Sequence, residues 1–130
     1  MKSGNFVSAI VALIFLSFAP ALCVSAEGWV DIKDPNELRA LYSNKTFKGK
    51  GWVGHYRADG KGILIPAGGN PQPRTWEVKG NDEICVAPAI GVTNCYHVQR
   101  DSANPNAFKG TNVLTGQTGE FTAEKGIPRF

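Results

Sequence analysis

The stretch "GWVGHYRADGKGILI", residues 51–65, sets Trp52, Gly54 and Tyr56 in alternation with Val53, His55 and Arg57. An Asp59-Gly60 pair follows, and the apolar run resumes at Ile63-Leu64-Ile65. A period of two puts successive side chains on opposite faces of a strand. Asp-Gly between two such runs is a strong short-range signal for a tight antiparallel turn. The segment therefore predicts a β-hairpin, and it commits the chain to a mainly β fold.

Toward the C-terminus the same grammar repeats. "PAGGNPQPR", residues 66–74, reads as a loop by composition. From Arg74 to Lys79 a further strand places Trp76 and Val78 on one side and Thr75, Glu77 and Lys79 on the other. Gly80-Asn81-Asp82 turns the chain into Glu83–Ala87, and a second turn leads back through Val92 to Gln99. Several strands joined by short turns predict an antiparallel meander that forms a small barrel or a strongly bent sheet. Beyond Arg100 the pattern weakens, and residues 110–130 read as an edge hairpin or a loose C-terminal tail.

Toward the N-terminus the period changes. Asp34-Pro35-Asn36-Glu37 supplies an N-cap acid, a proline at the first helical position and a glutamate at the capping-box position. Leu38, Leu41 and Tyr42 then share one helical face. One short helix, ending near Asn44, is expected to lie against the sheet.

The first 26 residues have a different character. Lys2 is their only charge, an apolar run extends from Phe6 to Phe18, and small residues surround Val24-Ser25-Ala26. The run is about a dozen residues where a membrane span needs roughly 20. This is the layout of a secretory signal peptide, cleaved after Ala26, and no transmembrane span is expected. Cys23 could instead mark a lipid anchor, but Leu22 and Pro20 stand where that signal wants a small and an aliphatic residue. The expected organisation is a signal peptide over 1–26 and a β-rich domain over 27–109, followed by the terminal segment. The location is periplasmic or secreted.

"ICVAPAIGVTNCYHV", residues 84–98, holds two of the three cysteines, Cys85 and Cys95. Centring its turn on Ile90 sets Cys85 opposite Cys95, Ile84 opposite Tyr96 and Glu83 opposite His97. A three-residue loop Ala89–Gly91 and a five-residue loop Pro88–Val92 give the same register, the latter avoiding a closing pair in which Pro88 lacks a donor. A non-hydrogen-bonded pair has Cα atoms about 4.5 Å apart, which a disulfide can span. An exported compartment favours its oxidation. Ile84, Val86, Tyr96 and Val98 then point to the core, while Glu83 and His97 stand beside the disulfide on the outer face.

Other chemistry is sparsely supported. Cys85, Cys95, His55 and His97 match a zinc site by count but lack the close cysteine pair of structural zinc sites. No C-x-x-C, G-x-S-x-G, H-E-x-x-H or phosphate-loop pattern occurs. No acids are paired as a glycosidase requires. The net charge of +3 falls by one with Lys2, and Lys45, Lys48 and Lys50 make the only basic cluster, too small a surface for nucleic acid. Neither an enzyme, a cofactor nor a metal is expected. The candidate ligand contacts are Trp52, Tyr56 and Trp76, with Glu83 and His97, which read first as an exposed ion pair and otherwise as a pH-sensitive contact. Trp52 and Trp76 also suit core packing.

The segments "ELRALYSNKTFKGKGWVGHYRADGKG", "RTWEVKGNDEICV" and "NCYHV" resemble a group of small exported proteins of rhizobium-type alphaproteobacteria, catalogued as a domain of unknown function. The resemblance covers residues 37–98 and implies a signal peptide, a β-rich domain and a family disulfide carried by Cys85 and Cys95. It implies no activity. A looser likeness is to periplasmic lysozyme inhibitors, small β-barrels with one disulfide. The functional expectation is a non-enzymatic, monomeric exported domain that binds an envelope protein, a glycan or a small apolar ligand. The alternative is an inhibitor of a lysozyme or protease acting through residues 66–74. A cavity lined by Trp52, Tyr56 and Trp76 would favour ligand binding, a filled barrel with a protruding loop inhibition, and convergence of His55, His97 and an acid catalysis.

Overall fold

A computed structural model describes residues 28–130. The signal-peptide reading of residues 1–26, with Cys23, lies outside the described residues. In chain order the elements are β1 (Trp29–Asp31), α1 (Pro35–Tyr42), β2 (Lys45–Gly49), β3 (Trp52–Tyr56), β4 (Lys61–Pro66), β5 (Gln72–Lys79), β6 (Glu83–Pro88), β7 (Asn94–Asp101), β8 (Ala107–Asn112) and β9 (Thr118–Lys125).

The strands from β2 to β9 form a closed antiparallel barrel. Each pairs with its neighbour in sequence, and the ring is completed where β2 pairs with β9, from Lys45↔Lys125 to Gly49↔Phe121. β1 is the extra strand. It pairs with the later half of β7, Trp29↔Asp101 to Asp31↔Gln99, along the edge that β6 leaves after Ile84↔Tyr96. Eight strands enclose an interior that side chains can just fill, or that can hold one small ligand.

Alternation decides what fills it. Phe47, Tyr56, Trp76, Ile84, Val98, Phe108, Phe121 and Ala123 are buried, each flanked along its strand by more exposed residues. The helix begins as its sequence predicts: Asp34 is the N-cap, its Oδ1 accepting from the Asn36 N–H at 2.9 Å, with Pro35 as the first helical residue. Leu38, Leu41 and Tyr42 are buried with Ile32, and α1 contacts β5 and β6. The helix thereby closes one end of the barrel. Among the described residues no helix is long and apolar enough to cross a membrane.

The cysteine hairpin has the expected register, Ile84↔Tyr96 and Cys85↔Cys95. The two cysteines are joined as a disulfide, with Cα atoms 4.0 Å apart. For a loop this short, the chain-entropy estimate is about 2.5 to 3 kcal/mol of stabilisation. The turn itself is longer than expected. Pairing with β7 ends at Val86↔Asn94, so residues 87–93 form the loop, while Ala87 and Pro88 continue β6 by pairing with Thr75 and Arg74 of β5. Pro88 cannot donate a ladder hydrogen bond, and the closing pair accordingly moves inward.

Three other regions differ from the sequence reading. Residues 110–130 are neither an edge hairpin nor a tail, because β9 lies between β2 and β8 and closes the barrel. The loop expected over 66–74 shrinks to 67–71, because β5 already begins at Gln72 and pairs there with Leu64. Trp29, unassigned in the sequence, lies in β1 with the Lys109 ammonium 4.7 Å above its ring.

Candidate ligand-binding cavity

The barrel interior is packed at its helix end and open at the other. The turns at the open end join β2 to β3, β4 to β5, β6 to β7 and β8 to β9. Between them the barrel holds a cavity of about 480 Å³, within the range of small-molecule sites. Tyr42, Phe47 and Tyr56 form its floor, and these rings pack on one another with centroids 4.6 to 5.1 Å apart. Trp52, Leu64, Val86, Val98 and Phe121 line the walls, and Arg74, Asn94, Asn112 and Gln117 stand toward the mouth.

Inward-facing glycines explain why space is left. At Gly54 and Gly62 a Cβ would come within 2.8 Å and 2.7 Å of the Tyr56 ring, and at Gly49 it would overlap the Trp52 indole. These three let large rings lie flat against the wall. Gly110 and Gly119 are different. They are register partners on β8 and β9, both line the cavity, and a Cβ at Gly119 would meet nothing within 4 Å. Between Phe121 and the mouth this stretch of wall is thus bare of side chains, whereas β3 and β7 carry Trp52, Tyr56 and Tyr96 into the lining.

The polar groups are few. Burial raises the Tyr56 phenol to about 12, with the Arg74 guanidinium pulling in the opposite direction. Tyr96, half-buried, is raised by burial and pulled down by Arg74 and by a hydrogen bond from Asn112. Tyr42 on the floor is raised well above the ordinary phenol value, first by burial. All three phenols therefore remain neutral near pH 7. Asn112 Nδ2 donates to Asn94 Oδ1 at 3.2 Å, while its own Oδ1 accepts from the N–H groups of Leu114 and Thr115 and pins the β8–β9 turn.

Of the sequence candidates, Trp52 and Tyr56 line the cavity and Trp76 does not. Trp76 belongs to the core beneath it, 5.4 Å from the Tyr42 ring, and its indole N–H donates to the Arg57 carbonyl at 2.8 Å. Glu83 and His97 face each other on the outer wall with Oε2 and Nε2 3.6 Å apart, outside the cavity. His55 lies elsewhere, its Nδ1 2.9 Å from Thr46 Oγ1, and burial, then Lys48, lowers its pKa. Strands β4, β5 and β6 separate it in the sheet from His97, so the two histidines do not converge.

Asp82, Glu83 and His97 bring one ligand atom each within 4.8 Å, but at this exposed corner nothing further marks a metal site. A second hollow of about 600 Å³ opens beside α1, between Ile32 and Leu41 and the inward-facing Phe108 and Ala123. The Glu37–Arg100 ion pair, 2.8 Å long, stands at its edge. It is larger, but charges of both signs line it, Glu37, Lys45, Arg100, Glu124 and Lys125, and the aromatic cavity is the better candidate site.

Arg74 was not among the sequence candidates. The signal was present: alternation puts residue 74 on the same face as Trp76 and Val78, so a cation was directed inward. Its place at the junction of the 66–74 loop and the Arg74–Lys79 strand hid this. The molecule is thus a closed eight-stranded antiparallel barrel with an aromatic cavity at one end and a helix across the other. No protein-family model, curated protein or solved structure matches the chain.

Proposed function

We propose that this is a non-enzymatic, exported binding protein, periplasmic or secreted, whose barrel takes up one small, largely apolar ligand. The observation that carries the reading is the cavity, walled by Trp52, Tyr56, Leu64, Val86 and Phe121 and left open along Gly110 and Gly119. Removing apolar surface from water contributes about 25 cal/mol per Å². A preformed apolar site also avoids much of the ordering cost of binding. Inhibition of a lysozyme or protease through residues 66–74 is the weaker reading, because the fold reduces that loop to 67–71.

The test uses a neutral fluorescent apolar probe, N-phenyl-1-naphthylamine. The wild-type protein is expected to enhance its emission saturably, with one site per chain. Gly119→Leu fills the open space and is expected to weaken binding about ten-fold or more while leaving the fold intact, since neither backbone strain nor a neighbour opposes a side chain there. Equal binding by the two proteins would place the probe elsewhere and reject the reading.

A further inference from the structure

The charge distribution around the cavity is one-sided. Arg74 is the one charged residue among those lining it, and no Asp or Glu is among them. Its Nη1 donates to the Pro73 carbonyl at 2.9 Å and its Nη2 to Gln72 Oε1 at 3.0 Å, both neutral acceptors. Among the described residues no carboxylate forms an ion pair with it. A guanidinium has five donors in a planar fork matched to an oxyanion, and here two neutral contacts leave others unused. The two other half-buried arginines do find anions, Arg57 pairing with Asp59 at 2.7 Å and Arg100 with Glu37 at 2.8 Å, whereas the exposed Arg39 and Arg129 form no ion pair among the described residues.

The surroundings extend the pattern. The four turns at the mouth, residues 49–52, 66–72, 88–94 and 112–118, contain Lys50 and no acid. The opposite end carries Asp34, Asp59 and Asp82. The lining also holds the phenols of Tyr56 and Tyr96 and the amides of Asn94, Asn112 and Gln117, groups that can donate to an anion without carrying charge. Deeper in, the lining is aromatic and aliphatic.

We propose that the ligand is an amphiphile whose oxyanion head, a carboxylate or a phosphate monoester, binds Arg74 while its apolar tail lies against the aromatic floor. This rests on the cavity reading above and adds the ligand's charge and orientation. A charge-assisted, bidentate hydrogen bond is roughly twice as strong as a neutral one, and the acid-free mouth admits the head without repulsion.

The test is displacement of N-phenyl-1-naphthylamine by decanoate, decyl phosphate and 1-decanol, which share a tail. For the wild-type protein, decanoate, decyl phosphate or both are expected to displace at concentrations about ten-fold or more below 1-decanol. Whichever anion is favoured identifies the head. Arg74→Gln is expected to lose that preference, read as the ratio of displacing concentrations against 1-decanol within the same variant, with far-ultraviolet circular dichroism and thermal unfolding reporting that the variant is folded. Arg74→Lys is expected to keep part of the preference. In the wild-type protein, lowering the pH through the decanoate pKa is expected to abolish the advantage of decanoate over 1-decanol. Equal displacement by all three compounds, or an anion preference that survives in Arg74→Gln, would overturn the proposal and leave the cavity reading standing. Absence of any probe binding by the wild type would instead remove the cavity reading, and this inference with it.

Discussion

The two ends of the barrel are built from the same strands and behave oppositely. At the helix end α1 lies across the opening, Leu38, Tyr42 and Trp76 interlock, and the turns carry charges of both signs. At the mouth there is no covering element among the described residues, the turns hold one charge, and Ile90, Val92, Val113 and Leu114 stand exposed on two neighbouring loops. The difference comes from what each inward position carries. Large rings with neighbours fill one half, whereas glycines at 110 and 119 empty the other. Packing is concentrated at one end, and the other keeps an open cavity.

The largest expected effect contrasts two tryptophans that the sequence could not distinguish. Trp76→Ala removes a buried ring and its hydrogen bond to the Arg57 carbonyl, and is expected to destabilise by about 3 to 5 kcal/mol in urea unfolding. Trp52 lines the cavity and is only partly buried, so Trp52→Ala is expected to cost about 1 to 2 kcal/mol. Comparable losses would mean that the two ends are packed alike.

A smaller effect separates the phenols by pH. Burial holds the Tyr56 pKa at about 12, above the value near 10 of an unfolded chain. The unfolded state therefore releases its proton first. This contribution is fully present below about pH 10 and is lost as pH rises toward 12, by about 2 to 3 kcal/mol. Tyr42 acts in the same direction. Tyr56→Phe is expected to flatten the alkaline decline measured by denaturant titration, and Tyr96→Phe, at a half-buried group, to flatten it less. Equal flattening would show that the mouth is as dry as the floor.

Much of this fold was legible locally. The capping residues of α1, the Asp59-Gly60 turn and the period-two runs each depend on nearest neighbours in sequence. The cysteine register followed from symmetry about Ile90. The closure by β9 was not legible, because its partners lie far back in β2, pairing Lys45 with Lys125, and because "NVLTGQTGEFTA" contains little that marks an interior strand. The cavity was out of reach for a different reason: an empty volume is a small difference between the space eight strands enclose and the side chains that enter it. Trp52 and Tyr56 could be nominated as lining residues, but Gly119, two strands along on β9, could not. Arg74 lay between these cases: its alternation with Trp76 and Val78 was readable, but as the first residue of the expected strand it had no preceding strand residue to fix its direction until β5 was seen to begin at Gln72.

The central claim, an open aromatic cavity at one end and a packed core at the other, is most directly tested by following the three tryptophan indole N–H signals in a ¹H–¹⁵N spectrum while N-phenyl-1-naphthylamine is added. The account predicts that the Trp52 signal shifts progressively to saturation. The Trp76 signal, held on the Arg57 carbonyl, and the Trp29 signal, outside the barrel, are expected to stay close to their starting positions. A shift confined to Trp29, or no shift at Trp52 under saturating probe, would contradict it.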